Sequence, residues 1–157
     1  MKMRIRWMAA VLVTVSCATQ AQTAVKRAYG PAAQRFANAV WAGDTLYVAG
    51  QMASPPAAGA AANGDTKAQA LSALKNIQTI LKSQGLGMGD VVEMQVFLAG
   101  DPANGGKMDF AGMNEAYDKF FGTAEQPNKP VRAAMQVAGL ATPWGLVEIM
   151  VVAVKSK

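Results

Sequence analysis

Histidine is absent from all 157 residues, and cysteine occurs once, at Cys17. The first absence excludes a Ser-His-Asp triad, an imidazole general base and any His-containing zinc site. Catalysis, if the chain performs any, must use carboxylates, Arg, Lys, Tyr, backbone groups and bound water. The second absence excludes a disulfide framework. Long apolar runs are scarce too: Trp7 to Val15 is too short to span a bilayer as a stable helix.

That short run has a basic stretch before it (Lys2, Arg4, Arg6) and small or polar residues after it, Ser16-Cys17-Ala18-Thr19-Gln20-Ala21. This is the layout of a secretory signal peptide. Cleavage is expected after Ala21, with Ala18 as the alternative. A lipoprotein reading would acylate Cys17, but Thr14 is a poor residue three places before it. The expected location is periplasmic or secreted, with no membrane attachment after cleavage and no thiol left. The formal charge of the whole chain is +5, and the leader holds three of its fifteen basic residues and none of its ten acids. Twelve cations against ten acids leave +2, so the basicity is largely a targeting signal and argues little for nucleic acid. The 136 residues after Ala21 suffice for one ordinary domain. The expected division is a signal peptide over 1–21, an extended lead-in over 22–34 and a single domain over 35–157, with no internal repeat.

Within that domain, Phe36 to Trp41 and Thr45 to Ala49 read as two strands joined by a hairpin turn at Ala42-Gly43-Asp44. Residues 53–64 are rich in Ala, Pro and Gly and read as a surface loop. Asp65 or Thr66 can cap a helix running to about Gln84, with Leu71, Leu74, Ile77 and Leu81 on one face and Gly85 as its stop. Val91 to Leu98 alternates as a strand, with Val92, Met94, Val96 and Leu98 on one side. After a breaker-rich loop, Gly100 to Lys107, Asp109 caps a second helix whose Phe110, Met113, Tyr117 and Phe120 or Phe121 face inward. Lys129 to Ala138 reads as a strand opened by Pro130. The last strand, Leu146 to Val154, is apolar on both faces apart from Glu148. Such a strand is central, or has one face buried against another subunit. The order ββαβαββ implies an α+β fold, a mixed sheet with two helices packed on one face. No element remains to cover the other face, so self-association is expected.

Arg132 is the residue in this pattern that most needs explaining. Its guanidinium stays charged at any biological pH and sits among small and apolar neighbours, so it needs an anion to offset its desolvation. That anion is either the carboxylate of a small ligand, held through two parallel N–H···O bonds, or a local acid. Glu148 is the obvious local mate, and it would equally serve to orient or deprotonate a water. Asn114 is polar at a position adjoining the apolar stripe of the second helix. Gly50 would let a ligand approach the backbone, or would simply make a turn. Gly85-Leu86-Gly87-Met88-Gly89 follows a helix and lacks the Lys-Ser/Thr ending of a phosphate loop, so it is discounted.

Taken in order, several stretches resemble the Rid (YjgF-type) reactive intermediate deaminases. They are Leu46-Tyr47-Val48-Ala49-Gly50-Gln51, Ala70-Leu71-Ser72-Ala73-Leu74-Lys75-Asn76-Ile77, and Asp90-Val91-Val92 with Val96-Phe97-Leu98. Asp109-Phe110 with Met113-Asn114-Glu115-Ala116-Tyr117 and Phe120-Phe121, then Pro130-Val131-Arg132 and Val147-Glu148-Ile149, complete the set. Each motif is modest, but the ordered set runs from about Phe36 to Val154 and is specific. The resemblance implies a chorismate-mutase-like α+β homotrimer with a cleft between neighbouring subunits. It further implies that Arg132 binds the carboxylate of a 2-imino or enamino acid, while Glu148 and the Ala134 carbonyl hold the attacking water. Phe36, Gly50 and Asn114 would line the cleft, and no metal or organic cofactor is implied. Three positions depart from the active branch of that family: Phe36 stands for a tyrosine, Ala49 for a serine and Ala134 for a cysteine. The loop from Gly100 to Lys107 is also longer than the family's usual connection.

The expected function is hydrolytic deamination of a small carboxylated imine. The alternative is a non-catalytic trimeric binding protein for 2-oxo or other small carboxylic acids, which the losses at Phe36 and Ala49 favour. A nucleic-acid role is the weakest reading, since the domain has no clustered basic, aromatic stripe.

Overall fold

The computed structural model describes residues 26–57 and 64–155. The segment expected to be a signal peptide, Cys17 within it, and residues 58–63 of the Ala/Pro/Gly-rich loop lie outside the described residues. Strands β1 (Lys26–Tyr29), β2 (Ala39–Ala42), β3 (Thr45–Gln51), β4 (Val91–Leu98), β5 (Val131–Gln136) and β6 (Val147–Val154) form one sheet in the order β1-β2-β3-β6-β4-β5. Every neighbouring pair is antiparallel except β4 and β5. Helices α1 (Thr66–Ser83) and α2 (Phe110–Tyr117) complete the α+β fold expected from the sequence.

Alternation along the central strand separates the two faces of the sheet. Val147, Ile149, Val151 and Ala153 of β6 are buried together with Leu46, Val48, Met94, Val96 and Leu98 from its neighbours and the apolar residues of both helices. Helix α1 forms where its local signals place it. The Asp65 carboxylate accepts from the Ala68 amide at 2.8 Å, and Gly85 turns the chain at φ +74° so that the Leu86 amide reaches the Leu81 carbonyl at 2.9 Å. Ala70, Ala73, Leu74, Ile77, Ile80 and Leu81 are buried along one stripe. Each Leu or Ile so buried contributes about 1.5–3 kcal/mol.

Several expected details differ. The segment read as an extended lead-in contains β1, which pairs with β2 and gives the sheet a sixth strand. The strand expected from Phe36 begins only at Ala39, and the backbone of Asn38 just before it bonds to the Tyr29 carbonyl of β1 and the Ala49 amide of β3. Phe36 therefore stands on the preceding bend, 68 % exposed. In β4 the pairing shifts between Val91 and Glu93. This irregularity buries Val91 and turns Val92 outward, whereas strict alternation would have buried Val92. In α2, capped by Asp109 onto the Gly112 amide at 2.9 Å, Met113 and Tyr117 face the core, but Phe110 is 41 % exposed.

The second sheet face carries Glu148, Met150, Val152 and Val154 from β6, with Tyr47, Gln95 and Val131 in register with this set. Tyr47 is 52 % exposed and Val131 72 %, and Met135 and Met150 are also open. β6 is thus central and one-sided in this chain, with an apolar surface on the far side.

Candidate functional site

Arg132 is the second residue of β5, the edge strand. It pairs across to Met94, which pairs in turn with Val151, so its side chain belongs to the helix-bearing face. There it meets α2. One terminal nitrogen donates to Asn114 Oδ1 at 2.9 Å, and the other lies 4.0 Å from Met113 Sδ. The guanidinium carbon stands 4.5 Å from the centroid of the Tyr117 ring and 5.7 Å from that of Phe110. Among the described residues no carboxylate is paired with Arg132; the ion pair present is Lys67–Glu115. A guanidinium has five N–H groups, and two directions are taken by Asn114 and Met113. The remaining donors are available to an anion.

Burial raises the Tyr117 phenol above its ordinary value, and the neighbouring Arg132 cation partly offsets that rise. Ala134 lies two residues further along β5 on the same face, half-buried against the core. Two residues on again, Gln136 donates to the Gly106 carbonyl at 3.2 Å and accepts from the Met108 amide at 3.0 Å. The long loop is therefore tied to the strand that carries Arg132. It lines a groove of about 860 Å³ together with Gln136, residues 137–140 and residues 142–146.

Glu148 is not the mate of Arg132. It registers with Phe97, which registers with Met135, so it belongs to the face opposite the helices. Arg132 shares its face with Val147, Ile149 and Val151, one position out of phase with Glu148, and no side-chain movement across a sheet brings the two together. Glu148 lies instead over Gly50. A Cβ added at Gly50 would fall 1.8 Å from Glu148 Oε1, so the missing side chain is what admits the carboxylate. The register of β3 against β6 shifts at this point, between Val48 and Gln51. Gln51 folds back onto the Ala49 and Gly50 carbonyls at 3.0 and 3.2 Å.

The expected residues thus fall into two half-sites. Arg132, Asn114 and Ala134 stand on the helix face at the β5 edge, and Glu148 and Gly50 stand on the open face. Phe36 is exposed on the bend before β2. Two contributors are not legible as such in the sequence: spacing assigns Tyr117 and Phe110 to the core, yet both rings also face the guanidinium. The signal was present in the spacing, since 110, 113, 114 and 117 form one helical stripe and an arginine strand follows that has to pack somewhere.

With this geometry in view, residues 26–155 match the family model described as Endoribonuclease L-PSP. The 2-iminobutanoate/2-iminopropanoate deaminase of Rattus norvegicus is 39 % identical over 121 residues, 76 % of this chain and 80 % of that protein. A RutC family protein of Pyrococcus horikoshii is 36 % identical over 120 residues, covering 76 % and 86 %. Among solved structures, E. coli TdcF with bound serine superimposes with a TM-score of 0.63 at 32 % identity, covering 82 % of this chain and 91 % of that one. The YjgF gene product of E. coli gives 0.64 at 30 %, covering 80 % and 91 %. The chain therefore belongs to the Endoribonuclease L-PSP family, alongside the YjgF- and RutC-type proteins that its ordered motifs resemble.

Proposed function

We propose that the protein hydrolyses small 2-imino or enamino acids to 2-oxo acids and ammonia, in a cleft between two copies of the chain. The observation that carries this reading is Arg132: half-buried, oriented by Asn114, and paired with no acid among the described residues. A planar carboxylate is the natural counterpart of a guanidinium held in this way. The names of the mammalian relatives support the same class of substrate.

Arg132 and Glu148 lie on opposite faces of one sheet, so a site using both needs a second copy of the chain. The apolar open face beside Glu148 suits that assembly, and a homotrimer is the expected form. In such a cleft Arg132 anchors the carboxylate and sets the C=N carbon in place. Water held by Glu148 and by the Ala134 carbonyl adds to that carbon, and Glu148 takes its proton. That proton passes to the nitrogen to give a carbinolamine; the hydroxyl proton then moves to the amine as the C=O bond forms and the C–N bond breaks, and a 2-oxo acid and ammonia leave. Addition of water to an activated C=N bond is intrinsically easy, so positioning suffices and no cofactor has to enter the scheme. An exported location follows from the leader and completes the proposal.

A second reading, a non-catalytic binder of small carboxylic acids, draws on Phe36 and Ala49, which lack the hydroxyl groups of the residues they replace. A ribonuclease reading, which the family description carries, draws no support from the charge of +2 expected after the leader is removed. Adding purified protein to an amino-acid oxidase reaction decides between the first two. Faster decay of the 2-imino acid supports hydrolysis, whereas calorimetric binding of 2-oxobutanoate with unchanged decay selects the binder.

A further inference from the structure

The guanidinium of Arg132 projects from an edge strand, where one side is open and a long side chain would ordinarily sweep through many rotamers. We propose that Tyr117 is a positioning residue that holds this guanidinium ready for a carboxylate, acting through the face of its ring and not through its hydroxyl. The proposal rests on the carboxylate reading above.

The Asn114 bond fixes one terminal nitrogen within the guanidinium plane. By itself it leaves the plane free to rock about the N···O line. The Tyr117 ring, 4.5 Å from the guanidinium carbon, supplies the missing constraint, because a cation above an aromatic face is attracted to its negative centre. Phe110, at 5.7 Å, adds a weaker wall. Tyr117 is well suited to the task because it cannot itself move easily. It is 9 % exposed and stacks on Phe121 with centroids 4.8 Å apart and planes 21° apart, and Phe121 is buried in the core. The orientation of Arg132 thus inherits the rigidity of the core. The hydroxyl has no hydrogen-bond partner among the described residues, so the ring carries the interaction. A guanidinium ordered in advance loses less conformational freedom on binding, and the benefit appears as ligand affinity.

The test uses the full mature protein, calorimetric binding of 2-oxobutanoate and hydrolysis of 2-iminopropanoate. Tyr117→Leu keeps the position apolar and removes the aromatic face; it is expected to weaken binding and raise KM by about tenfold, with kcat changed by less than about threefold. Tyr117→Phe restores the face and is expected to rescue most of that loss. In an Arg132→Lys background, which keeps the charge and a measurable residual activity, Tyr117→Leu is expected to cause a smaller further loss than in the unaltered protein, because its effect runs through the guanidinium; a merely structural role would add its full cost in both backgrounds. A readout independent of ligand is the Arg132 Nε–H proton resonance, expected upfield of its solvent-exposed position through the Tyr117 ring current. Binding undiminished in Tyr117→Leu overturns the role of the ring while leaving the carboxylate reading intact. Absence of both binding and hydrolysis in the unaltered protein overturns the carboxylate reading and this proposal with it. Should Tyr117→Leu not fold, an unshifted Arg132 resonance in the unaltered protein overturns the proposal directly.

Discussion

In the proposed reaction Arg132 and Glu148 carry the chemistry, and the neighbours that place them are as informative as the pair. Replacing Arg132 with alanine is expected to reduce turnover of 2-iminopropanoate to background while the sedimentation profile stays unchanged. Arg132→Lys keeps the charge but loses the fork, so a loss of at least about tenfold in kcat/KM is expected. Gly50→Ala tests the other half-site. The new Cβ would meet the mobile end of Glu148, not backbone, so stability should change little while the carboxylate is displaced. The expected signature is a fall in kcat of about tenfold or more with a thermal midpoint near that of the unaltered protein. Tyr117 adds a pH dependence. Folding raises its phenol above 10.0, chiefly through burial, so the native state holds that proton more tightly than the unfolded chain. Stability from this group is level below pH 10.0 and falls above it, as the unfolded chain releases the proton first. Urea titrations across that range should show a smaller alkaline loss in Tyr117→Phe than in the unaltered protein.

Helix α1 illustrates an element whose limits are set locally. Asp65 satisfies an amide of the first turn and Gly85 ends the last, so Asp65→Ala should cost about 1 kcal/mol, read as a lower urea midpoint at unchanged slope. Helix α2 uses the same kind of cap, but its role is different. Its stripe of Phe110, Met113, Asn114 and Tyr117 is the seat for Arg132. Edge strand β5 presents Arg132, Ala134 and Gln136 on that side, and Gln136 ties down the loop from Gly100 to Lys107. Caps and apolar stripes were legible in the residues because each depends on contacts within a few positions. The late start of β2 and the irregularity in β4 were not, because pairing with other strands decides both.

Among the described residues one face of the sheet is apolar and open, and that face holds Glu148. Placing a charge in its middle tests whether a second copy covers it. Met150→Glu is expected to reduce the assembly to a single chain of the ordinary fold, measured by light scattering coupled to size exclusion. Imine hydrolysis is expected to vanish with the assembly even though Arg132 and Glu148 are both retained. An oligomer of full size and activity in that variant would show that the chains meet elsewhere.

Composition alone was enough to exclude imidazole chemistry and a disulfide within the chain, and periodicity was enough to divide the chain into two helices and the principal strands. The lone arginine of an apolar strand could be singled out in the same way, since desolvating a permanent cation is costly wherever the strand lies. Which partner answers that cation could not be read. Glu148 is sixteen residues away along the chain and looks like its mate, yet the register of β4 against both β5 and β6 puts the two side chains on opposite sides of the sheet. Likewise two rings that spacing assigns to the core turn out to flank the guanidinium. Side-chain direction in a sheet depends on how strands are matched across space, and that matching is a property of the packed whole that no single segment contains.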